Sequence, residues 1–288
     1  MQVGSIDFWI NEWKLAARGS QFHNTYPDEK RVWDVSAHTY DSGMGKSNER
    51  VERVFDILNK MTFWDNETKR ILDIGSGTGS FAIPFAVRGG LVDALDSSEQ
   101  MNNVLRRKCE ADDIRGINIL PVDFHEYSPA DSTYDLVLGS MNPCLYEPHS
   151  FLKMVSLSHD MIIFIGITDG DRQTRDKSLA ELLTGHAPGH NGSNNIKYPL
   201  NLLLSMGFEP DVEYVLCEWE HKEEPKHAKE NYRRQFEHLK NNVYDMEQII
   251  SGYVDRHIEN GLFVQRSSCT MGIVTCRVAA LTKAGCRH

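Results

Sequence analysis

Apolar positions along this chain fall into two rhythms. Short, almost uninterrupted runs at 71–74, 91–95, 117–124, 134–140 and 160–166 have the length and aliphatic character of strands buried on both faces. Between them the apolar residues recur at helical spacing. The clearest cases are 6–17, which places Phe8, Trp9, Trp13 and Leu15 on an amphipathic stretch, and 48–60, where Val51, Val54, Phe55 and Leu58 form one stripe. A helix starting at Gly79 carries Phe81, Ala82 and Phe85, tolerates Pro84 in its first turns and stops at Gly89-Gly90. Ser97 is placed to cap the next helix. Further on come helices at 178–183 and 200–206, a strand at 212–219, two helical stretches within 221–260, and a last strand from 262–264 and 269–278. Strands alternating with helices at this pitch predict an α/β fold: a doubly wound, mostly parallel seven-stranded sheet with an N-terminal helical lid and a helical insertion before the last strand. The implied units are a lid at 1–48, a core at 49–220, an insertion at 221–260 and a strand at 261–288 that completes the core.

The break after the first strand carries the chemistry. Asp73-Ile74-Gly75-Ser76-Gly77-Thr78-Gly79 sets three glycines two apart, where the backbone needs unusual dihedrals and a ligand must reach main-chain N–H groups that a Cβ would cover. Asp96 ends the second strand 21 residues after Gly75, where an acid grips a ribose diol. Helix capping by Asp73 and Asp96, and turn formation by Asp123, are the plainer readings of these acids. A nicotinamide fingerprint wants Gly or Ala where this chain has Ser80, so the spacing departs from that pattern.

The run Asp73-x-Gly75-x-Gly77-x-Gly79, followed by Asp96, Asp123 and Ser140 at successive strand tips, resembles class I S-adenosylmethionine (SAM) methyltransferases of the small-molecule type. That resemblance implies the Rossmann-like class I sheet and transfer of a methyl group from SAM to a small acceptor, releasing S-adenosylhomocysteine, an activity of the EC 2.1.1 class. It implies that Asp73 steers the ligand's amino group while Gly75, Ser76, Gly77 and Gly79 admit its amino-acid arm. The ribose falls to Asp96 and Ser97, the adenine to Met101, Asp123 and Phe124, and the methyl faces Ser140. Trp33 to Tyr40 is similar to a Trp-x-x-x-Ala-x-x-Tyr entry found in this family, in which the Tyr approaches the SAM carboxylate and the Trp walls the acceptor pocket; a single helical face is the alternative. Gly43-Met44-Gly45 would let such a lid bend. Met141-Asn142-Pro143, with Tyr146 beyond, is faintly similar to the Asn-Pro-Pro-Tyr motif of amino methyltransferases and equally reads as a Pro-containing turn. Asn142, Tyr40 and His186 are the candidates for a catalytic role, with His190 beside the last; Trp33, Met141, Asn142 and Tyr146 are the candidates for the acceptor.

Composition narrows the partners. A net charge of −10 over 288 residues disfavours a nucleic-acid surface. No apolar run reaches the roughly 18 residues of a membrane span, and the first residues lack a leader's pattern, so a cytoplasmic location is the expectation. Six cysteines without a Cys-x-x-Cys pair or zinc-spaced histidines predict reduced thiols and no metal site. The charged 221–260 stretch has apolar stripes that serve either the core or a partner chain, a homodimer included. Two other activities compete: an NAD-type oxidoreductase on the same sheet, and a non-catalytic SAM-binding regulatory subunit.

Overall fold

The computed structural model describes residues 2–18, 29–38, 40–42, 48–65, 67–129, 133–168, 179–185, 192–240 and 243–279. One twisted sheet runs through them. Its strands are β1 (Arg70–Ile74), β2 (Leu91–Leu95), β3 (Ile117–Leu120), β4 (Tyr134–Ser140), β5 (Ser158–Ile167), β6 (Asp211–Glu223), β7 (Ile258–Glu259) and β8 (Leu262–Arg277). The spatial order is β3-β2-β1-β4-β5-β8-β6, with the two-residue β7 paired to β8 off this path. The first five strands are parallel, and β8 lies antiparallel between β5 and β6. This is the expected sheet with one small strand added.

Helices cover both faces because successive side chains of a buried strand point to opposite sides. Ile71, Leu136, Leu138, Ile163 and Ile165 meet α3 (Glu49–Lys60), α4 (Ala82–Val87) and α5 (Glu99–Ala111). Leu72, Ile74, Val137, Ile162 and Phe164 meet α1 (Ile6–Arg18), α6 (Pro148–Leu157) and α8 (Lys197–Ser205). A third, smaller core joins α7 (Leu179–Thr184), α9 (Pro225–Gln235) and α10 (Met246–Arg256) to Phe263 near the tip of the β6–β8 hairpin. The short α2 (Glu29–Ser36) packs against α5, and α9 touches it.

Three elements differ from their sequence pattern. The pattern gives α4 an early start at Gly79, but residues 77–81 form turns and the helix begins at Ala82, because Gly77 and Gly79 take positive φ angles. β6 runs past Trp219 to Glu223, and 262–264 and 269–278 merge into one strand. The added residues are polar and show no apolar rhythm, yet the ladder continues and Arg266 pairs with Glu220 across it at 2.7 Å. The insertion therefore starts inside a strand. Lastly, α1 packs on one face of the sheet, and Ala17 near its end borders the cleft described below. Trp13 is fully buried behind the sheet, stacked on Tyr198 at 5.8 Å and near Phe151 at 5.5 Å, with its indole N–H donating to the Ser193 carbonyl at 2.8 Å. No helix among the described residues is long and apolar enough to cross a membrane.

Candidate functional site

Parallel strands leave their carboxyl ends on one edge, and there the chain turns outward to form a cleft of about 380 Å³. After β1 the N–H groups of Gly75 and Ser76 both donate to the Leu95 carbonyl, at 2.7 and 3.0 Å, which fastens the loop to the tip of β2. Gly75 has φ +70°, and a Cβ there would lie 1.9 Å from Asn142 Nδ2. Glycine at this position thus admits the Asn142 side chain against the loop. Gly77, at φ +54°, has open space where a Cβ would be and borders the cleft. Gly79 has another task. A Cβ there would meet Leu105 Cδ1 at 2.4 Å, so it lets α5 pack close beneath the loop.

Asp96 ties the loop to the next helix. Its Oδ2 accepts the Gly77 N–H at 2.9 Å and its Oδ1 the Ser98 N–H at 2.8 Å. Burial raises its pKa; those two N–H groups oppose the rise and nearby Asp34 adds to it. The cap of α5 is Ser98, whose Oγ accepts the Met101 N–H at 3.2 Å, and not Ser97. Ser97 lies one residue outside the helix and borders the cleft, as does buried Met101. Asp123 and Phe124 close the same end, with Asp123 Oδ1 accepting the His125 N–H at 2.7 Å and so forming the turn.

Beneath the loop lie three polar groups short of partners. Asp73 is buried, does not border the cleft, and has an Oδ2 with no partner among the described residues. Burial pushes its carboxyl up to about 7 against the weaker pull of the Ala82 N–H and Arg50, and Asp96 raises it further. Ser76 Oγ is likewise buried and unpartnered among the described residues, and also stands back from the cleft. Ser140 Oγ, unpartnered in the same way, belongs to a residue that does line it. Buried polar atoms without partners cost free energy unless a ligand or water meets them.

At the far end, β4 runs into Met141, which takes φ +52°, and Asn142, whose Oδ1 accepts the Cys144 N–H at 3.1 Å to cap the 3₁₀ turn Pro143–Leu145. The turn reading of Asn142 is therefore realised, and the same residue faces the cleft together with Met141 and Tyr146. Trp33 and Tyr40 also line the cleft, ring centroids 6.5 Å apart and 79° between planes. They do not share a helical face: α2 ends at Ser36 and Tyr40 opens a separate 3₁₀ turn, Tyr40–Ser42.

The pattern of the chain missed Ala17, His125, Cys144 and Glu147, all of which line the cleft. Glu147 was legible as a cap preceding Pro148, since its carboxylate accepts the N–H groups of His149 and Ser150 at the start of α6. Burial pushes Glu147 up, but those hydrogen bonds outweigh it and hold the carboxyl below its ordinary range. With Asp96 and Asp123 it makes the wall acidic, and no described lining residue is Lys or Arg. His186, His190 and Gly43-Met44-Gly45 lie outside the described residues. Among the described residues no three His, Cys, Asp or Glu side chains are grouped to hold a metal, and no disulfide joins Cys109, Cys144, Cys217, Cys269 and Cys276 to one another.

Residues 71–161, which run from β1 into the start of β5, match the family model described as a methyltransferase domain. The likeness is to that segment alone. The chain is similar to the biotin biosynthesis bifunctional protein BioHC of Cellvibrio japonicus (strain Ueda107), 33% identical over 106 residues, covering 35% of this chain and 20% of the relative. It is also similar to a protein of Geobacillus sp. (strain WCH70) named as a methyltransferase, 31% identical over 83 residues, covering 29% of this chain and 34% of that one. The matched stretch thus spans a fifth to a third of these curated relatives' lengths. Among solved structures, magnesium protoporphyrin IX methyltransferase (ChlM) from Synechocystis PCC 6803 with bound S-adenosylhomocysteine aligns at a TM-score of 0.49 and 15% identity, over 80% of this chain and 82% of that one. The matched segment supplies Gly75, Gly77, Asp96, Ser97, Met101, Asp123, Phe124 and Ser140 to the cleft; Trp33 and Tyr40 come from the segment before it.

Proposed function

We propose that this chain is a SAM-dependent methyltransferase, of the EC 2.1.1 class, that acts on a small molecule and releases S-adenosylhomocysteine. One observation carries the reading: a single cleft at the carboxyl edge of the segment that matches a methyltransferase domain joins an open Gly77, a doubly fastened Asp96 and a Ser140 hydroxyl that lacks a partner among the described residues.

The donor set suits a nucleoside with a cationic sulfur. Asp96 holds its carboxylate with one lone pair of each oxygen already engaged, leaving acceptors for a ribose diol. Met101 and Phe124 offer apolar surface to a base, with Asp123 at its edge. The amino-acid arm falls to the Gly75–Gly77 loop, with buried Asp73 below it acting through its charge and Ser76 and Gly79 shaping the turn. Tyr40, Ser140 and Asn142 face the space where methyl and acceptor meet, and Trp33, Met141 and Tyr146 bound the acceptor. An acidic wall favours a positively charged ligand. SAM supplies an activated methyl group on its sulfonium, so the protein's share of the work is to align the acceptor, exclude water and stabilise charge. Asn142 contributes position in this scheme, since its Oδ1 is committed to its own turn while its Nδ2 rests against Gly75.

Calorimetric titration with SAM, S-adenosylhomocysteine and NAD tests the cofactor, and transfer of labelled methyl into a metabolite extract tests the reaction. Binding of the first two with none of the third, plus a labelled small-molecule product, is the expected result. Binding of NAD alone overturns the cofactor; SAM binding without transfer to any small molecule overturns the activity.

A further inference from the structure

The two aromatic walls of the cleft come from a segment outside the strand-and-helix core, and something must hold them in place. Each is followed directly by an aspartate that reaches into the matched segment. Asp34, after Trp33, accepts the Ser98 hydroxyl at 2.6 Å and meets the Gln100 N–H at 3.4 Å, at the start of α5. Asp41, after Tyr40, accepts the Thr78 hydroxyl at 2.6 Å on Oδ1 and pairs with Lys108 at 2.6 Å on Oδ2. Lys108 also donates to the Thr78 carbonyl at 2.9 Å, which closes a three-membered set. Thr78 is fully buried between the open glycine Gly77 and the packing glycine Gly79. The Asp41 contact therefore lands on the loop that shapes the cofactor cradle, and the Asp34 contact lands on Ser98, whose N–H donates to Asp96.

We propose that Asp34 and Asp41 are positioning residues that tether the 29–42 segment to α5 and the glycine loop, so that order in the cradle and order in the Trp33/Tyr40 wall rise together. Neither carboxylate borders the cleft. Their effect passes through Ser98 to Asp96 and through Thr78 to Gly77, and by linkage a ligand that orders the cradle also holds the wall, while loss of the wall weakens the ligand. The proposal rests on the cofactor reading above for its ligand; the tether itself is a property of the free protein.

The test pairs hydrogen–deuterium exchange of the free full-length protein with calorimetric binding of S-adenosylhomocysteine. Asp34→Ala and Asp41→Ala are each expected to speed exchange across 29–42 while leaving β1, β4 and β5 as protected as in the parent. Each is expected to weaken S-adenosylhomocysteine by about tenfold, the size of one charge-assisted hydrogen bond. Thr78→Val, which keeps the Asp41–Lys108 pair, should reproduce part of the Asp41→Ala loss, and the double variant should be no weaker than Asp41→Ala alone, since the hydroxyl contact is already gone there. Asp41→Asn, which keeps an acceptor for Thr78 and loses the charge facing Lys108, should recover part of the affinity. Unchanged exchange over 29–42 in both alanine variants overturns the proposal, as does strict additivity of Asp41→Ala with Thr78→Val. If the parent binds no S-adenosylhomocysteine, the cofactor reading fails and the exchange measurements alone decide the tether.

Discussion

Asp73 is the residue where burial and charge conflict most. Its carboxyl is pushed up to about 7 by burial, against an ordinary value of 3.8. The folded protein then binds a proton that the unfolded chain gives up, so this group costs the free protein stability as pH rises from about 4 through about 7. Asp73→Asn is expected to melt higher than the parent at about pH 8, with the difference vanishing toward about pH 4, read by thermal denaturation. A cationic ligand prefers the ionised form, so SAM affinity should climb with pH through about 7 in the parent and stay flat in the variant, read by calorimetry across pH. Asp96 stands at the cleft itself, bracing Gly77 and Ser98. Asp96→Ala removes that brace and, in the proposed function, the ribose acceptor, and should weaken SAM by roughly 10- to 100-fold.

Individual helices show which parts of the chain their patterns describe well. The α3 stripe of Val51, Val54, Phe55 and Leu58 is buried as its spacing implies. The α1 stripe is also real, but a stripe does not say what it packs on, and α1 sits against α6 and α8 behind the sheet. Trp13→Ala should therefore cost about 3–5 kcal/mol of folding stability in chemical denaturation, as a core tryptophan does, and reduce activity only as far as the fold loosens. A true lid residue would give the reverse. The cap of α5 was misread by one position because Ser97 and Ser98 both precede the helix, and capping depends on backbone dihedrals: Ser98 has φ −78°, ψ 116° and a hydroxyl aimed at Met101. Gly75→Ala carries a related lesson, since the extra methyl would strike the Asn142 side chain. It should disorder the turn at Pro143–Leu145 and lower the melting temperature, even without ligand.

Taken whole, the molecule combines one large sheet with a smaller core at its hairpin tip. The central strands bury both faces, whereas α7, α9 and α10 rest on a few side chains such as Phe236, Ile250 and Phe263. Regions with thin apolar support open at lower free energy than the global fold. Amide exchange in α9 and α10 is thus expected to outpace that of β1, β4 and β5 by at least tenfold under native conditions, read by mass spectrometry. Because α9 also touches α2, this opening reaches the wall that carries Trp33.

Much of this was written in the chain. Strand order along the sequence, the parallel half of the sheet and the glycine loop with its distant acid follow from local apolar runs and from backbone dihedrals that glycine alone takes cheaply. These are properties of neighbours in sequence, so the sequence carries them. What only the tertiary structure decided is which residues meet across long separations: that Gly75 makes room for Asn142, that Gly79 packs on Leu105, that Glu147 turns toward the cleft, and that Asp34 and Asp41 clasp Ser98 and Thr78. Such contacts join positions 26 to 67 residues apart, and no local pattern encodes them, because hydrogen bonding and packing are fixed by where the folded strands deliver each side chain.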